Sequence, residues 1–174
     1  MSIVLLTPSN GSVTLAEQNT ASNVTVTVPA RTANVMLDGP TFVAFASAAQ
    51  NISSSTLTKV AFNSITFDTN SNYSIVNNRF TPTVAGYYQT NAMVSTNNGT
   101  NYPSSFFFVY INKNNAGTAV ASGAAVTPFS VFGVSGIIYM NGSTDYIECF
   151  VQQSAANPLP CTGQHFSAAL VRGA

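Results

Sequence analysis

Residues 62–88 read FNSITFDTNSNYSIVNNRFTPTVAGYY. Short β-favouring runs recur here, at 65–68, 72–76, 79–81 and from Ala85 onward. They are broken by the turn-forming clusters Asn70–Asn72 and Asn77–Asn78. β-branched and aromatic residues suit a pleated sheet, and Asn suits the turns between strands. No window shows a sustained helical period, so the spacing predicts strands and little or no helix.

The pattern extends in both directions. Further strand candidates are 41–47, 58–62, 85–96, 104–113, 118–126, 129–141, 145–153 and 164–172. Turn signals lie at Asn97–Gly99, Asn112–Asn115, Asn141–Gly142 and Asn157–Pro160. Many strands at this spacing predict an all-β sandwich or barrel. Phe106 to Ile111 and Ile137 to Met140 are apolar on both faces, and Tyr146 to Val151 nearly so. An antiparallel sheet usually shows water one face. Strands greasy on both sides therefore predict a second partner, another copy of the chain. Phe106, Phe108, Tyr110, Ile137, Tyr139, Tyr146, Phe150 and Phe166 are the candidates for the core or that interface.

Residues 1–38 are different. Ile3, Val4, Leu5 and Leu6 form one short run, Ser12 to Leu15 a second, and Val24, Val26 and Val28 alternate with threonines in a third. So few large side chains cannot build a core alone. The expectation is an N-terminal arm or anchor over 1–38 and a main domain over 39–174.

Charged residues make up 6% of the chain, against about 25% in an ordinary globular protein, and net charge is zero. Apolar residues reach 45% and Phe plus Tyr number 19, which argues against disorder. No charge field exists to draw nucleic acid or an anionic membrane. No apolar run approaches the ~20 residues of a membrane span, and Ile3–Leu6 is too short for a signal peptide. Six Asn-x-Ser/Thr sequons are present, but 19 Asn with 40 Ser plus Thr give about four by chance. A neutral, aromatic-rich surface also favours a fixed oligomer.

Chemistry-bearing clusters are sparse. His165 is the single histidine, and nothing resembles a Gly-x-Ser-x-Gly elbow. Asp145 and Glu148, the only near pair of carboxylates, face opposite sides if both lie on one strand. Cys149, Cys161 and one histidine fall short of a zinc set. A hairpin of 145–152 with 164–172 would set Cys149 opposite Cys161, where a cross-strand disulfide is conceivable, although free thiols are favoured. Gly133 and Gly136 read as close-packing positions within a strand. The expectation is no enzyme, cofactor or metal.

The stretch from Phe62 to Tyr88 also resembles a family signature, that of the complement component 1q globular domain, a relative of the tumour necrosis factor jelly roll. Phe62, Asp68, Tyr73, Phe80, Gly86 and Tyr88 stand at the family's spacing. The next two positions, usually aromatic, hold Thr90 and Ala92. Pro40-Thr41-Phe42-Val43-Ala44 resembles the opening strand, and Phe166-Ser167-Ala168-Ala169-Leu170 the closing one. The resemblance covers about 40–172 and implies a ten-stranded jelly-roll sandwich that forms a homotrimer. With its Asn/Thr/Ser-rich style and the ending Leu170 to Ala174, the chain resembles bacteriophage virion proteins that carry this fold. The functional expectation is a trimeric capsid decoration (cement or head-fibre) protein. It would be assembled in the bacterial cytoplasm and anchored to the major capsid protein or another virion protein through 1–38. The alternative is the tip of a tail or head fibre binding a host-surface glycan or protein.

Overall fold

The computed structural model describes residues 2–6, 12–16, 39–97, 106–115, 117, 119–125 and 129–174. The chain divides into two compact units, Met1–Asn34 and Val35–Ala174. In the first, β1 (Ser2–Leu6) pairs antiparallel with β2 (Ser12–Ala16), Ile3 opposite Leu15 and Leu5 opposite Val13. The expected run at Val24, Val26 and Val28 lies outside the described residues.

The second unit is a β-sandwich, and no helix occurs among the described residues. Its strands are β3 (Thr41–Phe45), β4 (Gln50–Ile52), β5 (Thr58–Lys59), β6 (Ser64–Asp68), β7 (Tyr73–Ser74), β8 (Arg79–Phe80), β9 (Ala85–Asn97), β10 (Phe107–Lys113), β11 (Ala119–Ala125), β12 (Phe129–Asn141), β13 (Ile147–Gln153) and β14 (Leu159–Gly173). One sheet runs β11-β10-β13-β8-β7, with β5 also on β13; we call it sheet I. Sheet II runs β12-β9-β14-β3-β6, with β4 also on β14. Every pairing in the two sheets is antiparallel. These are twelve segments rather than the ten the resemblance implies, because short pieces of two or three residues such as β4, β5, β7 and β8 count separately.

The inner faces meet in an aromatic cluster. Phe42 stacks on Tyr73 (4.7 Å between centroids) and Phe80 (4.5 Å), and meets Phe166 edge-on at 5.2 Å. Phe62 packs on Phe166, and Phe80 on Tyr88. Phe62, Tyr73, Phe80, Tyr88 and Phe166 thus form one buried set that joins the sheets. The polar tips are satisfied as buried hydroxyls require: Tyr73 donates to the Phe62 carbonyl and Tyr88 to that of Val84. Asp68 is a turn residue. Its carboxylate accepts from the Tyr73 N–H at 2.7 Å and the Asn70 N–H at 3.4 Å, closing the 68–73 connection. Gly86 is glycine because β14 lies against it: a Cβ there would overlap the Arg172 carbonyl and sit 2.6 Å from Leu170 Cδ1. At the two departures, Thr90 and Ala92 are also buried, and Thr90 donates to the Gly136 carbonyl at 3.0 Å.

The expected hairpin of 145–152 with 164–172 does not form. β13 belongs to sheet I and β14 to sheet II, so the chain crosses the sandwich between them. The buried amide of Gln153 pins the crossing: Nε2 donates to the carbonyls of Ile52 and Asn157, and Oε1 accepts from the Ala155 N–H. Cys149 and Cys161 are therefore core residues on opposite sheets, and both thiols are free. Burial raises both thiol pKa values, that of Cys161 to about 12. A thiol held protonated and away from solvent is a poor nucleophile. Neither cysteine is expected to react with a maleimide at pH 7.5 in the folded chain, and both should react in denaturant. Labelling of the native protein at the unfolded rate would refute the placement.

Candidate functional site

The surfaces able to do work are the outer faces of the two sheets, and they differ. On sheet I, Phe107, Val109 and Ile111 point into the core, which turns Phe108 and Tyr110 outward. Ring contacts continue from Phe106 through Phe108 to Tyr110, with centroids 4.8 Å and 5.9 Å apart. In register, Tyr110 lies opposite Phe150, and Phe150 opposite Lys59; in a neighbouring row Asn112 lies opposite Glu148, and Glu148 opposite Arg79.

β13 is buried on both faces, the feature that the sequence reading assigned to a second subunit. The structure corrects that for this strand, because its outer side is covered from within the chain. Glu148 Oε1 accepts from Lys59 Nζ at 2.7 Å and from Arg79 Nη2 and Nε at 2.8 and 3.0 Å. The Arg79 guanidinium lies 3.9 Å from the centre of the Tyr146 ring, and the Lys59 ammonium 5.9 Å from that of Phe150. Phe150 is therefore covered and Phe166 lies in the inter-sheet core, while Phe106, Phe108, Tyr110 and Tyr146 keep part of their surface open.

On sheet II, the outer face carries Ile137 and Val131, 65% and 61% exposed, with Tyr139, Tyr87 and Met93 beside them. Tyr139 lies opposite Tyr87, their rings 5.5 Å apart. A polar strip crosses this apolar field where Asn91 lies between Ser135 and Ser167 in register. His165 Nε2 is 2.8 Å from Ser167 Oγ, which also accepts from Asn91 Nδ2 at 3.5 Å. A shallow depression over Gly133 is lined by Met93, Ser135 and His165. The described carboxylates are engaged elsewhere: Asp68 at its turn, Asp145 with Lys113, and Glu148 with Lys59 and Arg79. Among the described residues no three His, Cys, Asp or Glu side chains gather as metal ligands, and no helix is long and apolar enough to cross a membrane.

Asp145 is placed differently from the expectation. It precedes β13 in a turn rather than sharing its strand with Glu148. Burial raises its pKa, but hydrogen bonds from Lys113, Asn114 and the Asn141 N–H, with the Lys113 charge, outweigh that and hold it below the ordinary value of 3.8. The group's folded pKa is depressed, so its contribution is complete above 3.8 and is lost as pH falls through the lowered folded value. Melting temperature is expected to fall in that acid window, and Asp145→Asn should flatten the fall while lowering stability at pH 7. An unchanged acid profile in the variant would refute the assignment.

Sequence comparison finds no family and no curated protein that matches the chain. Solved structures do match in shape. The globular domain of zebrafish complement 1qA protein is 18% identical, with TM-score 0.57, covering 78% of this chain and 99% of that one. Murine APRIL at pH 5.0 is 10% identical, with TM-score 0.58, covering 77% and 100%. The Eiger TNF from S. frugiperda is 8% identical, with TM-score 0.50, covering 78% and 93%. In fold, then, residues of the second unit form a jelly roll of the complement 1q and tumour necrosis factor kind.

Proposed function

We propose that this chain is a non-enzymatic structural protein, a jelly-roll knob that closes into a homotrimer and decorates a phage capsid through its N-terminal 38 residues. The carrying observation is the outer face of sheet II. Ile137, Tyr139 and Tyr87 form one exposed apolar patch on this antiparallel sheet and Val131 with Met93 a second, on either side of the Asn91 strip. Exposed apolar patches gathered on one sheet face mark an association surface, and a second copy is the partner always present at equal concentration. The trimer, rather than another ring, follows from the sequence resemblance. The virion placement rests on the phage-like style of the sequence, and the division of the chain at Met1–Asn34 is in keeping with an arm. Three arms on one trimer multiply a weak lattice contact by avidity.

The test has two readouts. Light scattering should give three times the chain mass at micromolar concentration; a stable single copy would end the trimer reading. Pelleting with undecorated heads of the encoding phage should carry the protein down, and deletion of residues 1–38 should abolish that. Binding to host cells that survives the deletion would favour the fibre-tip alternative instead.

A further inference from the structure

We infer that the outer face of sheet I is a binding platform for a carboxylated saccharide, a property that one chain carries whatever its oligomeric state. Two observations meet there. The first is a stripe of partly open rings, Phe106, Phe108 and Tyr110; Phe150, next to Tyr110 in register, is itself covered. Phe108 and Tyr110 sit on a pleated sheet, with Phe106 just before it. An open aromatic ring accepts the apolar C–H face of a sugar ring, and rigid side chains do so at little entropic cost. The second is charge. Lys59 and Arg79 both address one oxygen of Glu148, so two cations answer a single carboxylate and the cluster keeps a surplus positive charge.

The exposures say where that surplus points. The Glu148 side chain is 4% exposed, while those of Lys59 and Arg79 are 34% and 33% exposed. The carboxylate is thus a buried anchor that fixes both head groups, and the cations are what solvent meets. Arg79 spends two of its five N–H donors on Glu148 and is stacked on Tyr146. Its remaining donors keep a fixed fork suited to a carboxylate. Lys59 stands at the end of the row Tyr110, Phe150, Lys59, so a carboxylate on a sugar lying over the rings falls within reach of it. Charged groups are rare in this chain, so a surplus cation beside the aromatic stripe is a specific pairing. An acidic peptide would match the charge alone; the stripe of rings favours a saccharide over it.

The probe is polygalacturonate, run against the full chain in affinity electrophoresis at low ionic strength. Controls are its methyl ester and poly-glutamate. Retardation by polygalacturonate is expected, with the ester and poly-glutamate each weaker by about tenfold, the worth of a charge-assisted contact or of ring stacking. Phe108→Ser and Lys59→Gln should each weaken binding by a similar factor in a chain that keeps its circular dichroism spectrum, with Lys59→Gln also lowering the melting temperature because buried Glu148 loses a partner. No retardation, equal binding of the ester, equal binding of poly-glutamate, or full affinity in a folded Phe108→Ser protein would each overturn the inference. If Phe108→Ser unfolds, the ester comparison and Lys59→Gln still decide it. Loss of this binding would leave the trimer mass untouched, so it fails independently of the assembly reading.

Discussion

Replacing Phe42 by alanine is expected to lower the unfolding free energy by about 4 kcal/mol, the upper part of the range for a buried phenylalanine. The size follows from what surrounds the ring. Phe42 comes from β3 in sheet II, but its two stacked neighbours, Tyr73 and Phe80, come from β7 and β8 in sheet I. Phe166 closes the set edge-on from β14. The ring therefore bridges the sheets, and truncating it removes stacking on both sides. Its neighbours are rigid and fixed by their own bonds, Tyr73 through its hydroxyl to Phe62 and its N–H to Asp68. They cannot collapse into the space, so the cavity persists and its cost adds to the lost transfer energy. Phe67→Ala, on the exposed side of β6, is the control and should change stability by about 0.5 kcal/mol or less. Urea unfolding followed by circular dichroism, at one fixed chain concentration because association couples to folding, measures both. A Phe42 effect below about 1.5 kcal/mol would mean the aromatic set is not what joins the sheets.

That cluster was the most legible part of the molecule. Phe62, Tyr73, Phe80 and Tyr88 were legible through the family resemblance, and a fixed sandwich that returns the chain to one core at set intervals accounts for that spacing. Asp68 and Gly86 are readable because a turn cap and a close backbone approach each tolerate few residues. Strand β4 was missed because Gln50-Asn51-Ile52 has little β preference of its own. It is held by tertiary bonds, the Gln50 amide bridging the Lys59 carbonyl and the Ala61 N–H. The first part of β14 was missed because Asn157–Pro160 read as a turn; Pro160 pairs with Asn51 just where β9 pairing begins at Cys161.

The failed hairpin has a general cause. A turn that folds a strand back beside its neighbour and a connection that crosses to the opposite sheet share the same Asn, Pro and Ser residues and the same alternation. The buried Gln153 amide marks the crossing, and a lone glutamine in sequence gives no sign of burial. The outer faces were legible in kind and not in detail. Apolarity on both sides of β10, β12 and β13 is plain in the sequence. Which of those faces the chain covers itself depends on Lys59 and Arg79, which lie far from Glu148 along the chain. On β13 long-range ion pairing supplies the cover, while on β12 Ile137 and Val131 stay open.

The largest expected effect on assembly comes from that open face. The double substitution Val131→Asp and Ile137→Asp is expected to raise the dissociation constant for self-association by about a thousandfold or more, about 4 kcal/mol per interface. Burying an aliphatic side chain of this size is worth about 1.5–3 kcal/mol, and an unpaired carboxylate in the contact costs several more. Of the described cations, Lys59 and Arg79 hold Glu148 on the opposite sheet and Lys113 holds Asp145, while Arg172 lies in the Tyr139–Tyr87 row, one row from Ile137 and farther from Val131. Both residues point away from the core, so the isolated chain should keep its circular dichroism spectrum and aromatic cluster. Val76→Asp, at an exposed turn between β7 and β8, adds a carboxylate away from either sheet face and should leave assembly unchanged. Sedimentation equilibrium reads the difference directly. A double variant that stays associated would place the contact elsewhere, and a parent chain that is already a single copy would remove the reason for the face altogether.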